Sequence, residues 1–244
     1  VQHDLSGAGL MFRLGASATV RNCIIENCFS EFTGGGIGVE FASNPRFEHV
    51  TVRGCRADIQ GGGITVETLG LGEFVDCVIT GNSAPNGGGL AAHENTTLQG
   101  CVIADNSAVR GGGIDMSFPA SITIQNSILW NNCASDSGAQ VYVDPAISLS
   151  GFVQIACSAI DTLGIRDLGG VIEFQQSNVF DDPQFCLPAG CGQAPTSAGQ
   201  YTLREGSPCL PAGNACNQLM GPNPNACSTP VDKRSISQVK SLFR

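Results

Sequence analysis

The sequence predicts an all-β fold, a solenoid of stacked coils in which each repeat contributes short parallel strands. Two motifs recur with one shared period, and the segments between them are too short for a strand–helix–strand unit. The composition agrees, because glycine accounts for 32 of 244 residues, whereas aromatic residues make up 6% and charged residues 14%. With no Gly-X-Y period and no low-complexity tract, glycine is expected at recurring structural positions.

The first motif is a run of three glycines followed by an aliphatic residue. Successive runs start 27, 26 and 24 residues apart, and short β-rich runs such as Ile64–Val66 lie between them. Stacked coils of this kind place strands about 4.8 Å apart with like positions above one another. Glycine permits the positive φ angles that tight bends require. The motif occurs at residues 34–37, 61–64, 87–90 and 111–114, with a degenerate copy at 137–141.

The second motif begins with an apolar residue and ends on a β-rich pair, in constant phase with the glycine runs. It occurs at residues 20–25, 47–52, 74–79, 98–103 and 124–129. A third column follows it, at Cys28, Cys55, Asn82, Asn106 and Asn132. Because like positions stack, Asn82, Asn106 and Asn132 are predicted to form an inward ladder at a turn, each amide bonding the next.

The combination of Asn-Ser-Ala with the glycine run, at residues 82–90 and 106–114, resembles a known repeat. It is similar to bacterial secreted right-handed parallel β-helix proteins of the pectate lyase-like superfamily, and to the repeats of polymorphic outer-membrane adhesins. The resemblance covers roughly residues 7–160. It implies an all-β, right-handed parallel β-helix, or β-solenoid, but little about function, because many members are uncharacterised surface proteins.

The segment after the repeats resembles the terminal module of some of these proteins. We expect a disulfide-rich C-terminal cap, because an open solenoid end exposes unpaired backbone and apolar groups. The residues that carry this resemblance are 157–158, 182–186, 201–203 and 206–209. The expected divisions are β-helix repeats at 1–160, a last coil and disulfide-stapled cap at 161–227, and a basic tail at 228–244.

Twelve cysteines without CxxC pairs or histidine-rich partners indicate disulfides and an oxidising compartment. No metal, haem or other cofactor is predicted. In the repeat register Cys28 lies over Cys55 and Cys77 lies over Cys101, at about the Cα separation that a disulfide accepts. Each pair could bond or form a buried free-thiol ladder, and Cys23 is another partner for Cys28.

The cap carries five cysteines within 42 residues. Few apolar side chains separate them, so cross-links are expected to hold its shape. Our first pairings are Cys209 with Cys216 and Cys186 with Cys191. Cys227 would then bond to Cys157 or to Cys133.

No catalytic residue is predicted. The Gly-His-Gly and Arg-x-Lys signatures of polygalacturonases and the arginine-rich patterns of pectate lyases are absent. Glycoside hydrolysis requires two carboxylates that face each other, yet the candidate acidic residues of the solenoid are scattered over different columns. These candidates are Glu48, Asp76, Asp105 and Asp115. The histidines, which we expect to be structural or solvated, are His3, His49 and His93.

One column could form a surface for a partner or a glycan. If Cys77 and Ile79 point inward, a neighbouring β-branched column points outward and needs covering by a partner, a glycan or the chain's own tail. The opposite facing would place that column in the core. Trp130, beside it, could stack a sugar ring. The column consists of Ile24, Thr51, Val78, Val102 and Ile128.

The formal charge of −9 and pI near 4.6 exclude the basic surface that nucleic acid requires. No apolar stretch is long enough to span a membrane. We expect a secreted or cell-surface, non-enzymatic, structural or adhesion-type solenoid. Because Val1 already lies inside repeat-like sequence, we expect the first coil to be covered by the next copy in an end-to-end extracellular filament, by an upstream region or by a different partner. The alternative is a polysaccharide lyase or hydrolase, or a glycan-binding module.

Overall fold

The computed structural model describes residues 7–116, 120–144, 151–167, 171–175, 177–222 and 227. In each coil the chain passes through up to four parallel sheets, named sheets 1 to 4 in chain order. Neighbouring strands of a sheet come from successive coils. The predicted parallel β-solenoid is therefore confirmed.

The sheets are built from strands of two to five residues. Sheet 1 contains Leu10–Phe12, Ile37–Val39, Ile64–Val66, Leu90–Ala92, Ile114–Met116, Val141–Val143 and Ile165–Asp167. Sheet 2 contains Thr19–Arg21, Arg46–Glu48, Gly72–Val75, Thr96–Gln99, Ser121–Gln125, Phe152–Ala156 and Val171–Phe174. Sheet 3 contains Ile24–Glu26, Thr51–Arg53, Val78–Thr80, Val102–Ala104, Ile128–Trp130 and Ala159–Ile160. Sheet 4 contains Phe29–Ser30, Arg56–Ala57, Ser83–Asn86, Ser107–Arg110 and Cys133–Ser137.

The glycine motifs of successive coils stack in register at the beginning of the strands of sheet 1. Ile37 pairs with Ile64, and Ile64 pairs with Leu90. A Cβ atom on Gly63 would lie 2.6 Å from the carbonyl oxygen of Gly89, the equivalent glycine one coil later. No side chain fits there, which explains why the third position of the motif is glycine.

A single core runs through the solenoid and consists of inward side chains from successive coils. In sheet 2, the rings of Phe47 and Phe74 stack with centroids 5.0 Å apart, and Phe12 meets Phe47 edge to face. In sheet 3, Val52 and Ile79 point inward and are buried. Equivalent side chains of successive coils stack on one another and fill the interior with a continuous apolar core.

The asparagine column lies at the turn between sheets 3 and 4 and is buried. Nδ2 of Asn82 donates to Oδ1 of Asn106 at 3.0 Å, and Nδ2 of Asn106 donates to Oδ1 of Asn132 at 2.9 Å. The same amides also donate to the carbonyls of Val52 and Ile79 in the preceding coil. The column therefore satisfies buried backbone groups as well as its own amides.

The C-terminal segment forms a small module of residues 182–222 that folds back along the solenoid. Its regular elements are an antiparallel strand pair and two single-turn 3₁₀ helices, and a further 3₁₀ turn precedes it at Thr162–Gly164. The described part of this module packs along the outer face of sheet 3. The strands are Phe185–Leu187 and Gln200–Leu203, and the helices are Cys191–Gln193 and Pro211–Gly213. The basic tail at 228–244 lies outside the described residues.

Three disulfides link the C-terminal region, as expected, but with a different connectivity. Cys133 bonds to Cys191 and Cys157 bonds to Cys216, with Cα separations of 5.6 and 5.9 Å. Cys186 bonds to Cys227, with a Cα separation of 5.3 Å. The pairings Cys186–Cys191 and Cys209–Cys216 are wrong, because the module docks on the solenoid and brings Cys191 and Cys216 against solenoid cysteines.

The stacked solenoid cysteines are free thiols. They are Cys23, Cys28, Cys55, Cys77 and Cys101, and the module's Cys209 is also free. Cys101 is fully buried, and its thiol donates to the carbonyl of Phe74 at 3.4 Å. Burial raises the pKa of Cys55 to about 12, so the reactive thiolate is disfavoured. Cys55, Cys77 and Cys101 fill the solenoid core as free thiols, whereas Cys23 is exposed.

Candidate functional site

The predicted outward column faces away from the solenoid core, and its two halves differ. Val102 and Ile128 are buried in a second apolar cluster, separate from the solenoid core. Module residues complete this cluster, so the chain itself covers that half of the column. Ile24 at the other end is 63% exposed and Thr51 is half-buried. The module residues in the cluster are Phe185, Tyr201, Leu203, Cys209 and Met220.

Asp105 is the polar centre of the contact between solenoid and module. Its carboxylate is buried and accepts hydrogen bonds from the Tyr201 hydroxyl and the Gly190 backbone, both at 2.8 Å. The Asn131 amide donates to its other oxygen. Burial and the neighbouring Asp105 charge raise the pKa of Tyr201, so the hydroxyl stays a donor. A buried carboxylate with several donors is a specific docking contact.

Two turn glycines of the solenoid admit the module at close range. Gly54 and Gly81 have φ near +60°, in the same turn column as Asp105. The backbone of Thr196 donates to the carbonyl of Gly81 at 2.8 Å, and a Cβ on Gly81 would collide with Thr196. Elsewhere in the column asparagine or aspartate adopts the left-handed conformation, so glycine is needed here for the approach of the module.

A cleft of about 390 Å³ lies between sheet 3 and the docked module. The solenoid supplies Trp130, the single tryptophan of the chain, and Asn131. The module supplies the remaining lining residues. They are Asp182, Gln184, Phe185, Pro188 and Arg204. The combination of an aromatic ring, a carboxylate, a guanidinium and two amides can bind a polar ligand that has an apolar face.

The charged side chains of the cleft are held by module backbone. The backbone N–H of Gln184 donates to Oδ1 of Asp182 at 2.8 Å. Nη2 of Arg204 donates to the carbonyl of Cys186 at 3.2 Å, while its backbone N–H bonds to Gln184. Both groups are exposed to solvent at the cleft rim. They are oriented before a ligand arrives, which lowers the entropic cost of binding.

Sequence reasoning identified Trp130 but missed the module side of the cleft. Asp182 and Gln184 lie in a segment that the sequence marked only as part of a terminal module, and Arg204 carried no signal at all. More than fifty residues separate them from Trp130. The register of the repeats fixes neighbours within the solenoid, whereas the module has no repeat that could place it.

Of the other ionisable residues considered from sequence, His3 lies outside the described residues, whereas His93 and Glu48 lie in the solenoid wall. Burial lowers the pKa of His93 to about 4. Hydrogen bonds from Arg21 and then Arg46 lower the pKa of Glu48 to about 2. Nε of Arg53 donates to Oε2 of Glu26 at 2.8 Å. Among the described residues, no group of three histidine, cysteine, aspartate or glutamate side chains could hold a metal ion.

The part of the chain that the structure describes contains no helix long and apolar enough to cross a membrane. Neither the search of curated proteins nor that of solved structures gave a match. A family model described as the right handed beta helix region matches residues 2–152. This match covers more than half of the chain and agrees with the stacked parallel sheets, so the chain belongs to the right-handed β-helix family.

Proposed function

We propose that the chain is an extracellular, non-enzymatic scaffold of the adhesion type, whose recognition surface is the cleft between the solenoid and its side-docked module. The observation that carries the proposal is the docking itself. Two disulfides, Cys133–Cys191 and Cys157–Cys216, lock the module onto the solenoid over sheet 3 and leave a preformed cleft beside it. A rigid framework with a fixed recess suits the presentation of a binding surface.

The charge pattern of the wall supports a framework role. Arg21 and Arg46 both bond to Glu48, and Arg46 also contacts Glu73 one coil further on. Pairing of this kind connects successive coils along the surface. Single exposed pairs contribute little, but a network across several coils adds order. The extracellular location is supported by the three disulfides, which persist in oxidising compartments.

Adhesion can be measured with beads that carry the purified full chain. We expect such beads to be retained on cell walls or extracellular matrix under flow, and to release no reducing ends or unsaturated products from pectin, alginate, chondroitin or xylan. Leu163→Ser, at a 96% exposed position outside the cleft, is the matched control and should behave like the parent. Turnover of any polysaccharide, or no retention on any surface, would overturn the proposal.

End-to-end self-association is a separate prediction. Light scattering of the purified chain over a hundredfold range of concentration checks it. Growth of mass with concentration supports a filament, and a constant monomer mass contradicts it.

A further inference from the structure

We infer that the cleft at Trp130 binds a neutral saccharide, with one pyranose ring stacked on the indole and its hydroxyls bonded to Asp182 and Arg204. This inference rests on the proposed function, because it names the ligand class of the same recognition surface. It is carried by the position of the indole, the arrangement of the polar groups and the charge of the chain.

The indole of Trp130 belongs to an outward column of sheet 3 in which the two preceding members are buried and Trp130 is partly accessible. Thr80, Ala104 and Trp130 stack in register on the outer face of sheet 3. Thr80 and Ala104 are buried, whereas Trp130 is half-buried and packs on the second apolar cluster. The two residues that precede Trp130 are both buried, Ile128 beneath the module and Leu129 in the solenoid core. The indole is thus held firmly and keeps accessible surface in the cleft, as a stacking platform requires.

The polar groups match the hydroxyls of a sugar. Each hydroxyl both donates and accepts a hydrogen bond. The Asp182 carboxylate accepts, the Arg204 guanidinium donates, and the Asn131 and Gln184 amides can do either. Asn131 is itself anchored through its bond to Asp105. A volume of about 390 Å³ lies within the range of about 300–1,000 Å³ that small-molecule sites occupy.

The charge of the chain favours a neutral ligand over an acidic one. Asp182 and Arg204 balance each other within the cleft, so no local excess of positive charge is present among its lining residues. The chain as a whole carries a formal charge of −9. Such a field repels polyanions and slows their approach. Uronic acid polymers are therefore expected to bind more weakly than neutral saccharides.

The single tryptophan makes the site directly observable. Titration of the full chain with neutral gluco-, manno-, galacto- and xylo-oligosaccharides should give a saturable change in tryptophan fluorescence for at least one series. Calorimetry with that saccharide should then show about tenfold weaker binding for Trp130→Ala and for Arg204→Ala, and a smaller loss for Trp130→Phe. Leu163→Ser should bind like the parent.

Several outcomes would overturn the inference. They are no saturable binding to any neutral series at millimolar concentration, equal affinity of Trp130→Ala and the parent, or a preference for uronic acid oligomers. Thermal unfolding and a count of free thiols show whether each variant keeps its docked module, and Trp130→Phe serves if Trp130→Ala does not fold.

The two proposals fail in different ways. If Trp130→Ala beads still adhere and the parent binds no saccharide, the glycan site is wrong and the scaffold stands. If the parent binds a neutral saccharide but its beads adhere to nothing, the scaffold proposal is wrong and the site stands.

Discussion

The solenoid and the C-terminal module are stabilised by different means. The solenoid repeats its interactions from coil to coil: strands pair in register, and Asn82, Asn106 and Asn132 bond in sequence. Five free cysteines lie in it, and two of its cysteines bond only to the module. The module has one two-stranded sheet and depends on cross-links and on the surface beneath it. A repeat therefore specifies its own neighbours, whereas the module is specified by its docking site.

Replacing Asn106 with Leu should interrupt the repeated bonding of the solenoid and should have the largest effect on stability of the changes considered. The change removes the Oδ1 atom that accepts from Asn82 and the Nδ2 group that donates to the carbonyl of Ile79. Both hydrogen-bonding partners are buried. Because each unsatisfied buried group costs about 1–3 kcal/mol, we expect the free energy of unfolding to fall by about 3–5 kcal/mol. Urea denaturation followed by circular dichroism measures it. Asn44→Leu, at an exposed turn, should change it by less than about 0.5 kcal/mol. An unchanged midpoint for Asn106→Leu would show that the ladder is dispensable.

Removing the Cys133–Cys191 bond should separate the two regions. In the double variant Cys133→Ser, Cys191→Ser we expect a loss of about 2–4 kcal/mol, because a cross-link between distant residues restricts the unfolded chain. Hydrogen exchange should rise across 182–222 and stay unchanged in the strands of sheets 1 and 2. Cys23→Ser, which changes an exposed free cysteine, is the control. Equal acceleration in both regions would mean that the solenoid depends on its module.

Acid should weaken the solenoid through His93, with a smaller effect. Burial lowers the pKa of His93 from 6.5 to about 4, so the folded state holds the imidazole neutral. Stability is complete above pH 6.5 and declines as the pH falls toward 4, because the unfolded state takes up the proton first. Between pH 7 and pH 4.5 the parent should lose on the order of 2 kcal/mol more than His93→Gln in denaturant titrations. Identical pH dependence of the two proteins would contradict this assignment.

The architecture of the solenoid was predictable because its rules are local. The glycine motif recurs with a nearly constant period, and pairing in register turns each sequence column into a ladder, as for Asn106 and Asn132. The alternation of side chains along a strand placed Val102 and Ile128 on the face opposite to that of Ile79, but it left open which of the two faces points outward. These inferences need only the strand period and the spacing between strands.

The cleft could not be predicted from the strand period and the spacing between strands. Trp130 could be selected as an isolated aromatic residue, but its neighbours Asp182 and Arg204 depend on how the module folds back. That path follows from the burial of Phe185 and Tyr201, from a buried contact with Asp105 and from bonds such as Cys157–Cys216. A general requirement for an end cap did not specify the face of the solenoid on which the module docks. Disulfide connectivity could not be deduced from spacing, because each bond to the solenoid joins the module to a particular coil.

The docked module also limits the number of coils that the solenoid can have beneath it. It holds fixed points in successive coils, through Gly81, Asp105, Cys133 and Cys157. Solenoids commonly gain or lose repeats without penalty, since each unit contacts only its neighbours. Here an added coil between Gly81 and Cys157 would move these points apart by about 4.8 Å, and the module could no longer reach all of them. The number of coils beneath the module is thus set by a segment that belongs to none of them.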